Sequence, residues 1–232
     1  MQLDNPAWLA LSGEQREFGL VGERAARYQV DVSPIAAVAD QSTEALQELA
    51  GFVEPGQAVA VVDPGKPPED LWRLVTVVPL RQWYCPDPVR EQETDLDWVE
   101  LGDAEAAEMY RLVKETDPGP FEHRTHLLGD YVGVIRDGNL VAMAGERICI
   151  AAEGGATGYR EVSAVCTDPE FTGRGFAQVL VREIALRQQR LGCVPFLHVR
   201  IGSPAEQQAS HVYEKVGFVR RKDVGMSILV RL

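Results

Sequence analysis

The stretch TDPEFTGRGFAQVLV, residues 167–181, restricts this chain more than any other. It follows a strand-like run, EVSAVC, and leads into helical apolar spacing at Phe176, Val179, Leu180 and Ile184. Two glycines, Gly173 and Gly175, stand at the junction with Arg174 between them. Glycine accepts positive φ without steric cost and has no Cβ to block a neighbour. A helix starting there presents unpaired N–H groups and the positive end of its dipole. The junction is therefore a site for a pyrophosphate or a tight strand-to-helix turn. A P-loop is excluded, because Gly-Lys-Ser/Thr is missing. A dinucleotide fingerprint is excluded too: Gln178 replaces the third small residue, and the next strand-like run ends in Arg200 rather than an acid.

The rest of the chain sets this junction in a mixed α/β pattern. In residues 1–95, FGLVGERAARYQVDV, QAVAVVD and LWRLVTVVPL read as strands, and STEALQELAGFV reads as a helix capped by Ser42. The stretch PDPVREQETD, charged and proline-containing, reads as a linker. After it come the strand WVEL and a helix in DAEAAEMYRLVKETDPG, with Asp103 as its cap. A second short helix is expected in FEHRTHLLG. YVGVIRDGNLVAMAGERICI then reads as a hairpin turning at Asp137-Gly138. YREVSAVCT, the long helix after Gly175, CVPFLHVR, a helix in AEQQASHVYEKVGF and GMSILVRL complete the chain. The order is neither strict βαβ alternation nor all-β. Residues 1–90 are expected as a smaller α/β domain and 91–232 as the domain that carries the junction.

The 232 residues carry a net charge of −12, and −9 of it falls in residues 1–95. With no basic stripe, a nucleic-acid partner is not expected. No apolar run approaches the ~20 residues of a membrane span, and the N-terminus lacks the pattern of a signal peptide. A cytoplasmic protein is the expectation. The four cysteines show no CxxC and no ligand-like spacing with the four histidines. Buried thiols are expected, and no metal site. Arg160, Arg174 and Arg182 could make the neighbourhood of the junction locally positive.

EVSAVCTDPEFTGRGFAQVLV resembles the acetyl-CoA-binding motif of the GNAT N-acetyltransferase superfamily, a strand ending in V-x-P followed by Arg/Gln-x-x-Gly-x-Gly/Ala. Pro169, Gly173, Gly175 and Ala177 match it. ASHVYEKVGF resembles the later Ala-x-x-x-Tyr-x-x-x-Gly-Phe pattern through Ala209, Tyr213, Gly217 and Phe218. The wording AMAGERI … EVSAVCTDP … GRGFA … PFLHV is similar to a bacterial branch related to glycine N-acyltransferase-like proteins. Thr172 stands where the motif has Arg or Gln. Glu206 stands where many members have an asparagine facing the cofactor. The resemblance covers about residues 96–232. It implies the GNAT acyl-CoA N-acyltransferase fold, an α+β arrangement of a mixed central sheet with flanking helices.

The resemblance further implies acetyl transfer from acetyl-CoA to an amine by direct attack. The N–H groups of Gly173, Arg174, Gly175, Phe176, Ala177 and Gln178 would receive the pyrophosphate. The main chain of Val165, Cys166 and Thr167 would pair with the pantetheine arm. Tyr213 is the expected acid, since a phenol of pKa ~10 can protonate a departing thiolate. The base is Glu161 at the start of the motif strand, Glu146 in an apolar run where burial would raise its pKa, or water. Cys166 has no histidine placed in sequence to activate it as a nucleophile. Arg124, with His123 and His126, could hold an acceptor carboxylate. The acceptor is expected to be a small amine or amino acid. A peptide acceptor and a non-catalytic acyl-CoA-binding module are the alternatives. Residues 1–90 would wall the acceptor site or supply a homodimer interface.

Overall fold

A computed structural model describes residues 2–152 and 157–232. Its strands are β1 (Gly19–Val21), β2 (Ala25–Tyr28), β3 (Ile35–Val38), β4 (Ala58–Val62), β5 (Trp72–Tyr84), β6 (Val99–Leu101), β7 (Tyr131–Arg136), β8 (Asn139–Ile150), β9 (Gly158–Thr167), β10 (Cys193–Arg200) and β11 (Val219–Arg231). The helices are α1 (Pro6–Ser12), α2 (Thr43–Ala50), α3 (Ala106–Thr116), α4 (Phe176–Arg190) and α5 (Glu206–Val216). No helix among the described residues is long and apolar enough to cross a membrane.

The strands form one 11-stranded sheet in the order β1-β2-β3-β4-β11-β5-β10-β9-β8-β7-β6. The pairs β3–β4 and β9–β10 are parallel; the other neighbours run antiparallel. The sheet does not break at residue 90. β5 lies between β10 and β11 and pairs with β11 over twelve positions. Residues 1–90 therefore supply an interior strand to the half that carries the glycine junction.

Local chemistry explains the elements. Ser42 accepts a hydrogen bond from Ala45 N–H and starts α2, as expected. Asp137 and Gly138, at φ 49° and 81°, make the tight turn between β7 and β8. α3 ends two residues before Pro118, with Asp117 between them in the left-handed region (φ 45°). Its start differs from expectation. Gly102 is the cap of the preceding 3-10 turn, and the Glu105 carboxylate accepts from Gly102 N–H (2.9 Å). Asp103 instead meets His126 Nε2 at 2.9 Å. FEHRTHLLG contributes only a 3-10 turn, Thr125–Leu128, because Gly129 follows at once. β3 was missed: all four of its residues are buried, so it shows no alternation.

The two faces of the sheet carry different helices. On one, α4 and α5 pack Phe176, Leu180, Ile184, Tyr213 and Val216 against Val132, Val162, Leu197, Val199 and Phe218. On the other, α3 packs on Tyr131, Met143 and Cys166, and α1 on Tyr28, Ile148 and Phe196. Leu197 and Val199 thus face α4 and α5. Phe196, His198 and Arg200, alternating with them along β10, face the α1 and α3 side.

Candidate active site

β9 and β10 separate where the glycine junction begins. Their parallel register runs from Gly158↔Cys193 to Glu161↔Phe196 and stops. Beyond it β10 pairs only with β5, out to Arg200↔Leu80. β9 bends there because of a bulge. Between Met143↔Cys166 and Gly145↔Ser163, three steps of β9 oppose two of β8. The extra residue is Ala164, held at φ 51°. A non-glycine residue in that region is strained, and such strain concentrates at functional sites.

The gap between the strands is a cleft of about 480 Å³. Val165, Cys166 and Thr167 line it from β9, and His198, Val199 and Arg200 from β10. Ala177, Thr172, Ala209, Val212 and Tyr213 line the α4–α5 side, and Thr116, Asp117 and Pro118 the α3 side. The cleft thus opens toward both faces of the sheet.

At its outer end lies the start of α4. Asp168 accepts from Glu170 N–H, and a 3-10 turn over Pro169–Phe171 turns the chain. Gly173 and Gly175 take φ 75° and 81°, and Gly175 is the helix cap without any side-chain hydrogen bond. A Cβ at either glycine would meet nothing within 4 Å. The glycines are needed for their backbone angles, and the space above them is open. Residues 172–175 are exposed, and the first-turn N–H groups of Phe176, Ala177 and Gln178 have no acceptor within the helix. The Phe176 ring is core, so only its main chain can serve a ligand. Arg174 stacks on Phe171 (4.7 Å), and Arg136 from β7 stacks on Phe176 (5.5 Å). These two cations flank the helix start. Arg160 does not: it is bonded to Glu14, Glu146 and Cys149. Thr172 turns its hydroxyl to the Pro169 carbonyl (3.0 Å).

Tyr213 is buried at the inner wall, edge-on to Phe218. Burial, with the Cys166 thiol nearby, raises its pKa well above that of a free phenol, so the phenol keeps its proton. Burial also pushes the Cys166 thiol up to about 12, which suppresses the thiolate that a nucleophile requires.

The two glutamates do not line the cleft. Glu161 is fully buried on the α1 side, and Arg147 grips both its oxygens (2.9 and 2.8 Å). His198 Nδ1 meets its Oε1 at 2.8 Å. Burial alone would raise the Glu161 pKa; the Arg147 charge and the His198 hydrogen bond outweigh it and hold the group at about 2. Glu146 is buried on the α4 side and accepts from Asp130 N–H (3.0 Å) and Arg160 (3.3 Å). Its pKa is raised, chiefly by burial. Its ion partner is Arg160; Arg147, its sequence neighbour, belongs to Glu161.

Other expected residues lie elsewhere. Arg124 is bonded to Gln29 (2.9 Å) and Asp31 (3.2 Å), and His123 stacks on Tyr110 at 4.1 Å. Neither reaches the cleft, and nor does His126. Glu206 is paired with Arg81 (3.2 Å) and accepts from Gly202 N–H, outside the cleft lining. Four features were missed by sequence reasoning: His198, the bulge at Ala164, Arg136, and an Arg200–Asp117 pair (3.6 Å) across the α3 side of the cleft. His198 had a local signal, a polar residue between apolar ones in PFLHVR.

Comparison with known proteins gives this geometry its context. The family model described as FR47-like protein matches residues 131–225. No curated protein sequence matches the chain. The solved structure of a GNAT-family protein of Novosphingobium aromaticivorans is 33% identical. It covers 100% of this chain and 99% of its own, with a TM-score of 0.87. A GCN5-related N-acetyltransferase from Kribbella flavida is 16% identical over 97% of this chain and 95% of its own, with a TM-score of 0.60. A GCN5-related N-acetyltransferase-like protein from Streptococcus suis is 15% identical over 98% and 92%, with a TM-score of 0.54. The latter two share the fold.

Proposed function

Because the chain belongs to the GNAT family of acetyltransferases, we propose that it transfers the acetyl group of acetyl-CoA directly to the amine of a small molecule or amino acid. One observation carries this reading: β9 and β10 part immediately inside an uncapped, cation-flanked helix start. An extended arm with a pyrophosphate at one end and a thioester at the other fits that combination. Acetyl-CoA supplies the activated acyl group. The N–H groups from Gly173 to Gln178 would receive its pyrophosphate, assisted by Arg174. The main chain of Val165, Cys166 and Thr167, left without a β10 partner, would pair with the pantetheine amides.

The acceptor would enter from the α3 side, where Asp117 and Arg200 offer one charge of each sign to an amine and a carboxylate. Main-chain N–H groups at the Ala164 bulge would serve as donors to the charge that develops on the thioester oxygen. Tyr213, protonated and on the α5 side, would give its proton to the departing thiolate. The amine proton would leave through water in the cleft, since every oxygen of Glu161 is engaged and Glu146 lies behind the sheet. The test is thiol release from acetyl-CoA across a panel of amines, amino acids and peptides. Amine-dependent release supports the reading; release with no amine dependence, or none at all, overturns it.

A further inference from the structure

Gln82 stands directly opposite His198 in the β5–β10 pair, and its Nε2 is 3.0 Å from His198 Nε2. Its amide orientation is fixed from behind. Arg221, which can only donate, reaches Gln82 Oε1 at 2.7 Å. The Leu3 carbonyl, which can only accept, takes a hydrogen bond from Gln82 Nε2 at 3.0 Å. Flipping the amide would lose both bonds. Gln82 therefore donates to His198, and His198 Nε2 must accept. The ring proton is then on Nδ1, aimed at Glu161 Oε1 at 2.8 Å. Arg221 is itself held by Asp4 (2.7 Å). The chain of contacts runs from the N-terminal segment to a residue that lines the cleft.

We propose that Gln82 is a positioning residue that locks His198 in the neutral Nδ1–H tautomer, so that an uncharged imidazole borders the acceptor. The charges around the ring make this lock necessary. Facing the ring are the Glu161 carboxylate from β9, at 2.8 Å, and the Arg147 guanidinium from β8, which is paired with it. On the cleft side stand Tyr213, Cys166, Asp117 and Arg200. An imidazolium here would set a second positive charge beside an incoming ammonium. The Gln82 N–H fills the only free lone pair and prevents it. The effect on acceptor binding rests on the acyl-transfer reading; the tautomer does not.

The test is long-range 15N–1H NMR of the full chain, with the His198 signals assigned by their loss in His198→Asn. In the native protein at pH 7.5, protonated Nδ1 and unprotonated Nε2 are expected; an Nε2–H tautomer or an imidazolium overturns the proposal. Arg221→Met, outside the cleft lining, removes one of the two contacts that fix the amide and should let part of the Nε2–H tautomer appear; an unchanged spectrum counts against the lock. Gln82→Glu offers His198 a second carboxylate. It should protonate both ring nitrogens and raise the acceptor KM at least tenfold, with the acetyl-CoA KM unchanged. A neutral ring with unchanged KM contradicts the proposal. If no amine is acetylated at all, the spectra still decide the tautomer while the transfer reading fails separately.

Discussion

Tyr213 offers the reaction a single group, its phenol, and Tyr213→Phe removes that atom while keeping the ring against Phe218. If the phenol protonates the thiolate, kcat falls about 100-fold or more, with the acetyl-CoA KM within twofold, as measured by steady-state kinetics. Glu161 gives a different expectation. Glu161→Gln leaves Arg147 buried without its counter-charge, which costs about 3–5 kcal/mol in denaturant unfolding. The sign of its pH dependence follows from its depressed pKa, about 2 when folded against 4.5 for a free carboxyl. The unfolded chain takes up the proton first. The stabilisation is therefore complete above about pH 4.5 and lost as pH falls toward about 2. The place of Tyr213 on the cleft wall was legible in sequence because it sits in a local pattern, ASHVYEKVGF. The circumstances of Glu161 were not, because its partners Arg147 and His198 are 14 and 37 residues away and meet it only through sheet register. The same limit hid Gln82.

The junction of β9 and α4 was the most legible element, since glycine angles, helix spacing and the strand run all lie within some twenty residues. Gly175 at φ 81° is where it can be broken. Gly175→Ala must keep a strained left-handed angle or shift the first turn of α4. Calorimetry should show CoA binding weakened about tenfold or more, with little change in thermal stability. The bulge at Ala164 was not legible. Nothing in SAVCT marks an extra residue, and the bulge exists only relative to β8. The expected helix in FEHRTHLLG failed for a nearby reason. Its helical spacing lasts barely one turn before Gly129, and Arg124 and Thr125 spend their hydrogen bonds on Gln29, Asp31 and Val32 instead.

Strand order is the property of the whole molecule that sequence periodicity could not supply. A linker in PDPVREQETD suggested two bodies, yet β5 crosses into the interior between β10 and β11. Residues 91–232 expressed alone would leave the facing edges of β10 and β11 unpaired and remove Gln82 from beside His198. They are expected to aggregate or to lack cooperative unfolding in calorimetry, and co-expression with residues 1–90 should restore a soluble complex. The same continuity ties the N-terminal segment, through Leu3, Gln82 and His198, to the cleft where transfer is proposed. That transfer is tested most directly by a single turnover. Protein loaded with acetyl-labelled acetyl-CoA is mixed with an acceptor amine, and the label is followed by mass spectrometry. Label passing from CoA to the amine, never residing on the protein and slowed in Tyr213→Phe, is the predicted result. Label held on Cys166, or remaining on CoA with every amine offered, would contradict the account.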